Sequence, residues 1–582
     1  MAQYTHIGEL RKNPAYRFLE SLLGISAVFF IVLMIVTSFF APEIAALFLI
    51  LYSFAWLLRV TIIASYTLSS YANVMRWQKI DASALIQTLS QNYEQGVAAL
   101  TTLRDQHKRR RSWNKTYTQF LTELPKNIGT VYEKIDDIYH LPVFSVYNES
   151  SQVLIRSLES IYTAHYKKDR VIVVVTQEQR AGNQMVEQLR AEIMALDWIN
   201  GAVFQENDLS IVYSNHHTTL DYNTPHDFVI SNTKLNILFT AHPDGLEGEI
   251  KGKASNEDWA GRQASLFLKT NNIGSDRAIV TSLDADSSVN DQFFALLSLR
   301  YCLSPKDVKC GFQAIPVYTK NVYETTLIPR IVAFNTSTWQ IALNNLEGRT
   351  AFFANYCVPM TVLQEVDFWE REFIGEDFMF YAKCFIHYEG NFVVRPFYGQ
   401  FNGDAVVGDD YIQAIENQYK QLQRWSWGGV EGIPYIIRRM FWEKNNIPLG
   451  KRMALFLETF SNHHFWATAP LAFSIGTILP TFLGGNSFLQ SQAATELKLF
   501  SQYFAWVSYI FIVAYSWLGY SILVRTAGIH SKPKHPLHNV FLIALQSLVM
   551  PFIQLFSTFP ALDSQLRGMR GKYLGYWVTP KK

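Results

Sequence analysis

The chain reads as an α/β domain with a mostly parallel sheet, set between apolar segments long enough to cross a membrane. Three observations carry this. The apolar residues gather at the two ends of the chain. Between them, continuous β-branched runs alternate with helical patterns. Two aspartates, Asp284 and Asp286, stand directly behind one of those runs, where open α/β sheets place their ligands.

Of the 582 residues, 49% are hydrophobic and 15% aromatic, yet the mean hydropathy is only +0.02. That average hides very apolar ends around an ordinary globular middle, and the length predicts several structural units. A net charge of +2 excludes a bulk polyanion partner, and no nucleic-acid motif appears. The four cysteines (Cys302, Cys310, Cys357, Cys384) show no C-x-x-C spacing and all lie in the middle block. They predict buried or reduced thiols of a cytosolic domain. His216-His217 and His463-His464 are read as local polar contacts.

Residues 21–40 form an uncharged run about as long as a bilayer-crossing helix. The run is too long for a signal peptide and has no small-residue cleavage site. Pro42-Glu43 separate it from a second span at 44–66, so residues 1–66 predict two transmembrane helices. Basic residues precede the first span (Arg11, Lys12, Arg17) and follow the second (Arg76, Lys79, Lys108 to Arg111), which predicts a cytosolic side there. Residues 67–139 read as a helical cytosolic extension.

From 140 to 435 the pattern is strand and helix in alternation. Pro142–Val146, Val171–Val175, Asn236–Phe239 and Ala278–Leu283 are strands, and Val153, Leu154, Leu158 and Ile161 mark one face of a helix. Continuous β-branched strands separated by helices predict a parallel sheet covered on both faces.

Residues 436–562 turn apolar again. A basic and aromatic stretch at 438–454 reads as interfacial. Spans follow at 456–482 and 500–524, then an apolar stretch at 538–561 holding Pro551 and Pro560. Five crossings would leave the basic tail, 563–582, outside, against the charge bias. The stretch 538–561 is therefore expected to be re-entrant or to lie in the interface, broken near Pro551, with a cytosolic tail.

Three clusters carry chemistry. Asp284-Ala285-Asp286 follows a strand, and two carboxylates one residue apart suit a hard cation such as Mg2+ or Mn2+ with water left in its shell. Glu376-Asp377 opens an apolar helical segment, where the helix dipole favours and positions a carboxylate. Asp377 is the candidate general base, with Glu376 beside it. Gln421, Arg424 and Trp425 fall at i, i+3 and i+4, so a helix presents them on one face. Arginine there suits a diphosphate and tryptophan a sugar face. Taken singly, these are an acidic loop, a helix-start acidic pair and an amphipathic helix with an anchoring tryptophan.

In this order, the clusters resemble the catalytic set of family 2 glycosyltransferases, most closely the membrane-bound cellulose-synthase-like branch. The resemblance covers roughly 140–435 and the flanking spans. It implies a GT-A-type (Rossmann-like, mostly parallel sheet) cytosolic domain flanked by transmembrane helices. It also implies Asp284 and Asp286 as ligands of metal and nucleotide, Asp377 as base, and Gln421, Arg424 and Trp425 at the diphosphate and acceptor end. Tyr147-Asn148-Glu149 is similar to the family's first-strand nucleotide motif, and Gly252-Lys253-Ala254-Ser255-Asn256 to its G-K-x-x-x-N stretch. Tyr576-Trp577-Val578-Thr579-Pro580-Lys581 is similar to the gating loop of cellulose synthases, which implies a nucleotide-diphosphate role for Thr579 and Lys581. One departure stands out. The acidic pair that usually ends the second strand is replaced by Thr176-Gln177-Glu178, with Glu178 as substitute, so a UDP-sugar is the first expectation but the nucleobase stays open.

The implied activity is inverting transfer from a nucleotide sugar to a growing polysaccharide; single addition to a membrane lipid is the alternative. Four or five spans make a narrow channel unless subunits share it, which admits accessory subunits. A transporter should carry charge within its spans. Here Arg59 and Glu458 are the clear cases, both near an interface, and the base and the metal pair are both present.

Overall fold

The computed structural model describes residues 7–108, 135–203, 210–211, 220–221, 228–305, 307–322, 324–344, 348, 350–526 and 536–580. His216-His217, Arg109 to Arg111 and Lys581 lie outside them. The chain divides into two compact units. One is Ser69–Val317 with Asn344–Asp404; the other is Met1–Leu68 with Tyr318–Leu343 and Ala405–Pro580.

The first unit is built on a mixed, mostly parallel sheet. Its strands are β1 (Tyr139–Val146), β2 (Ile172–Glu178), β3 (Ile199–Val203), β6 (Leu235–His242), β7 (Ala278–Asp284), β8 (Ser288–Val289), β9 (Cys310–Val317), β10 (Tyr356–Pro359) and β11 (Val393–Asn402). The order is β3-β6-β2-β1-β7-β10-β9-β11-β8, while β4 (Ser210–Ile211) and β5 (Leu220–Asp221) form a separate antiparallel pair. From β3 through β7 all neighbours are parallel. The strand β10 then runs antiparallel to β7 and β9. Strands β2 and β6 are buried along their whole length, which is why Ile172–Val175 and Ile237–Phe239 are apolar without alternation. The helix Ser151–Thr163 buries Val153, Leu154, Leu158 and Ile161, as the spacing predicts.

The chain leaves β1 toward β2 on one side and returns as β7 on the other. Ligands of open α/β sheets bind at such a switch, outside the carboxyl ends of the strands. Asp284 is the last residue of β7, in register with Ser145 near the end of β1. All four cysteines are buried and free.

Among the described residues, four helices are long and apolar enough to cross a membrane: Pro14–Phe40, Pro42–Trp77, Gln492–Ser521 and Val540–Met569. The first is started by Asn13, whose side chain accepts the Ala15 N–H, with Pro14 at the first helical position. Small residues let these helices close on one another. Ala27, Ala467 and Ala561 share one buried cluster, and a Cβ on Gly24 would lie 2.6 Å from the Gln565 carbonyl.

Two expectations need correction. The stretch 456–482 is not one span. The helix Leu449–Leu471 passes into a π-turn at Ala472–Gly476 and then a short helix, Leu479–Leu483. Pro470 removes a backbone donor at that point. The stretch still runs the length of the first span: Ser26 meets His464, Ala27 meets Ala467, Met34 lies against Gly476 and Pro42 against Gly484. The second correction is at Pro551. The helix Pro536–Met569 continues unbroken through both Pro551 and Pro560, as membrane helices can when neighbours satisfy the freed carbonyls. Its last turns lie along the helix Tyr411–Ile437, with Ser564 donating to the Gln423 carbonyl and a Cβ on Gly568 crowding Val430.

Candidate active site

The centre of the site is the ammonium of Lys253, second residue of the stretch Gly252-Lys253-Ala254-Ser255-Asn256 and first residue of the helix Lys253–Thr270. Its Nζ lies 2.8 Å from Asp284 Oδ1, 3.0 Å from Glu376 Oε1 and 3.6 Å from Glu257 Oε1. One cation thus joins the D-x-D motif to the head of the helix Glu376–His387. Lys253 is 7% exposed, so these charges meet in a medium that screens them weakly. Three residues on, Asn256 accepts from Thr176 Oγ1 and donates to the carbonyls of Val146 and Thr176. It ties together the carboxyl ends of β1 and β2, so one short motif fixes both the cation and the strand ends beside it.

Asp377 follows Glu376 in the first turn of its helix, with Gly375 as N-cap. Its Oδ1 accepts the Phe378 N–H at 2.7 Å, and it is half-buried where Glu376 is buried. Asp284 has a side chain 39% exposed. Asp286 is buried, and its Oδ2 accepts the Asp404 N–H at 2.8 Å. Among the described residues no three His, Cys, Asp or Glu side chains converge as a metal site. The donor set is instead two hard carboxylates at the end of a strand, one of them open to solvent. That fits Mg2+ or Mn2+ whose other ligands are diphosphate oxygens and water.

Glu257 was missed in the sequence. It is fully buried, one turn from Lys253, and accepts a hydrogen bond from Ser282 of β7. Burial pushes its carboxyl up to about 8, opposed by Lys253 and reinforced by Glu376. A carboxyl raised on folding holds a proton that the unfolded chain has lost, so it lowers stability as pH rises between its ordinary range and about 8. Glu257→Gln should therefore lose less stability than the parent as pH rises from about 5 to about 8. Thermal melts of the detergent-solubilised protein across that window check this. Equal slopes for both proteins would mean that Glu257 is ionised when folded.

Beside the centre lies an open pocket lined by Glu178, Arg180, His242, Asp244, Glu249 and Lys251, among others. Glu178 closes β2 and is buried. It pairs with Arg180, whose guanidinium stands 4.0 Å over the Tyr147 ring. His242, the last residue of β6, bonds Glu249 at 2.9 Å. Glu149 turns back to accept the Tyr147 N–H at 2.7 Å, so it shapes the loop after β1. Arg180, His242 and Glu249 carry no motif; only their position just after strand ends points to them.

Gln421, Arg424, Trp425 and Thr579 belong to the other unit. The first three lie on the helix Tyr411–Ile437, N-capped by Asp410. Gln421 accepts from Gln418 Nε2 at 3.0 Å. Trp425 packs against the apolar cluster of Leu422, Ile331, Val332, Met550 and Ile553. Arg424 meets the tail: its Nη1 lies 3.4 Å from the Tyr576 hydroxyl and its guanidinium 5.2 Å over that ring. Lys420 sits 5.5 Å over the Trp577 ring. The Thr579 hydroxyl is buried without a hydrogen bond among the described residues.

Residues 279–525 match the model of glycosyl transferase family group 2. The match holds Asp284, Asp286, Glu376, Asp377, Gln421, Arg424 and Trp425, and it supports a family 2 glycosyltransferase over that part of the chain. Tyr147, Glu178, Lys253 and the tail fall outside it. No curated protein matches the chain. Among solved structures, a mannosyltransferase from Pyrobaculum calidifontis in complex with GDP-Man and Mn2+ aligns over 91% of this chain and 100% of its own, at 12% identity and a TM-score of 0.39. TarS 1–349 of S. aureus in complex with UDP-GlcNAc aligns over 75% and 93%, at 11% identity and a TM-score of 0.31.

Proposed function

We propose that the chain is a membrane-embedded, inverting glycosyltransferase of the cellulose-synthase-like branch, which moves a sugar from a nucleotide-diphosphate donor onto a growing polysaccharide. One observation carries the reading. Lys253 brings Asp284 of the D-x-D motif and Glu376 of the E-D pair, both within the matched residues, to a single ammonium that lies just before them in the chain.

In this reading Asp377 takes the proton of the acceptor hydroxyl as its oxygen attacks the anomeric carbon from the face opposite the diphosphate. The carbon–oxygen bond to the diphosphate breaks, and the electron pair leaves with the phosphate oxygen. Asp284 and Asp286 are the residues that would hold a divalent cation, which would supply charge neutralisation for the departing diphosphate. The Lys253 ammonium keeps Asp284 and Glu376 in place. The pocket between Glu178 and His242 takes the nucleoside end, with Tyr147 and the loop braced by Glu149 along it. Arg424 serves the diphosphate, and Gln421 and Trp425 the acceptor, as the resemblance implies.

The catalytic domain is assigned to the cytosolic side of the cell membrane. Basic residues mark both ends of the chain, and the two ends touch. Arg17 donates to the Gly568 carbonyl at 3.0 Å and to the Tyr573 hydroxyl at 2.9 Å, while Arg11 lies 3.6 Å over the Tyr573 ring. The tail and the N-terminal basic segment therefore share one side.

The test is a donor screen on detergent-purified protein with Mg2+ or Mn2+, followed by sizing of the product. A high-molecular-weight product from one nucleotide sugar is the expected result. A small lipid-soluble product made with added membrane lipid would replace the polymer by a lipid acceptor, and no sugar transfer from any donor would end the reading. Deleting residues 576–582 should lower turnover several-fold without changing the melting temperature, since Tyr576 and Trp577 rest on Arg424 and Lys420 from outside the helix core. Full activity in that truncation would remove the tail from the mechanism.

A further inference from the structure

The D-x-D turn is held at every residue by side chains or backbone from elsewhere in its unit. The Ser287 N–H closes a tight turn onto the Asp284 carbonyl at 2.9 Å. Ser157 Oγ donates to the Ala285 carbonyl at 2.8 Å, and the Asp404 N–H fixes Asp286 Oδ2 at 2.8 Å. The two ends of the turn are joined by one residue, Asn355. Its Oδ1 accepts the Asp284 N–H at 2.8 Å and its Nδ2 donates to Ser287 Oγ at 2.9 Å.

Asn355 is fully buried and has φ = +62°, in the left-handed region. Asparagine is enriched there among non-glycine residues, but a glycine reaches it with no steric cost. Its carbonyl is bound by Gln313 Nε2 at 3.4 Å, and the next residue, Tyr356, begins β10 beside β7. The backbone there is thus bent so that one amide spans the turn. A glycine would satisfy the bend; only an asparagine also supplies the acceptor and the donor.

We infer that Asn355 is a positioning residue for the donor metal: its side-chain amide braces Asp284 against Ser287 and so sets the separation of the Asp284 and Asp286 carboxylates. The inference rests on the reading above that these two aspartates hold the cation. The brace matters because two carboxylates on a flexible turn must be ordered at the moment of binding, whereas a braced turn presents them already spaced. Sequence patterning did not reveal it, since Asn355 sits in an aromatic stretch, Phe352-Phe353-Ala354-Asn355-Tyr356, far from the D-x-D motif along the chain.

The left-handed φ makes a clean test available, because Asn355→Gly removes the side chain without straining the backbone. Mn2+ binding to the full-length protein is followed by the loss of the free-ion EPR signal, in the presence of UDP and, separately, of GDP. The expected result is a Mn2+ affinity at least about tenfold weaker in Asn355→Gly, in a variant that melts somewhat lower without metal, because buried hydrogen bonds are lost, but still unfolds cooperatively. Turnover should return toward the parent value as Mn2+ is raised, which a merely unfolded variant would not show. Ser287→Ala should weaken Mn2+ less, and Asn355→Gly/Ser287→Ala no more than Asn355→Gly alone, as expected for two parts of one brace. Parent-like Mn2+ affinity in Asn355→Gly overturns the inference. Asp286→Asn separates the two levels. If it abolishes Mn2+ binding while Asn355→Gly does not, the brace alone fails. If Asp286→Asn also binds Mn2+ normally, or the parent shows no saturable site, the metal reading fails with it.

Discussion

Replacing Asp377 by asparagine should cut turnover by about 10²–10⁴-fold, the usual contribution of a positioned general base, while the donor binds nearly as before. Asparagine keeps the shape of the side chain and an oxygen for the Phe378 N–H that Asp377 accepts, so the helix start should survive. It cannot take the acceptor proton. Glu376, its neighbour, is not a substitute base, because it is buried and committed to Lys253. The measurement is turnover against donor affinity on the same preparation. Loss of donor binding in parallel with turnover would mean that Asp377 holds the donor; unchanged turnover would place the base elsewhere.

The second large effect is expected at Lys253. Methionine there keeps most of the volume and removes the one cation shared by Asp284, Glu376 and Glu257. Breaking a buried ion pair from one side costs about 3–5 kcal/mol, since the partner charge is left without compensation. The lower end applies here, because the Asp284 carboxylate is partly open to water and screened accordingly. Lys253→Met should therefore lower the unfolding temperature and abolish donor binding. A variant with parent-like stability and donor binding would reduce Lys253 to a bystander. Loss of donor binding with unchanged stability would assign it to the ligand rather than to the fold.

Much of the first unit was legible. The four runs around Pro142, Val171, Asn236 and Ala278 became β1, β2, β6 and β7, neighbours in the sheet, because strands buried on both faces must be apolar throughout. Asp284 and Asp286 fell at a strand end, and Glu376-Asp377 opened a helix, for similarly local reasons. The strands β9, β10 and β11 were not identified; β10 is only four residues long, and short strands leave little pattern. In the second unit, hydropathy pointed to the first two helices and to the one holding 500–524, but showed neither the π-turn after Leu471 nor the continuity of Pro536–Met569 through Pro551. Asn462, His463 and His464 lower the apolarity of their helix while facing partners: Arg59 on Asn462, Gln565 on the His463 carbonyl, Ser26 on His464. Polarity turned toward a neighbouring helix looks, in sequence, the same as polarity turned to water.

The sequence by itself determined the classes of residue and their local geometry: which segments are apolar enough to cross a membrane, which runs become central strands, and which carboxylates stand at the ends of strands and helices. These follow from short-range periodicity and from the position of charge along an element. Only the tertiary structure decided which of those groups share a charge. Lys253, Glu257, Asp284 and Glu376 are joined at one ammonium, and Asn355 reaches back across about seventy residues to span Asp284 and Ser287. The reason is physical. Burial removes the water that would otherwise satisfy these groups, so each must find its partner where the sheet's crossovers place it, and strand order, not sequence distance, sets which partners those are.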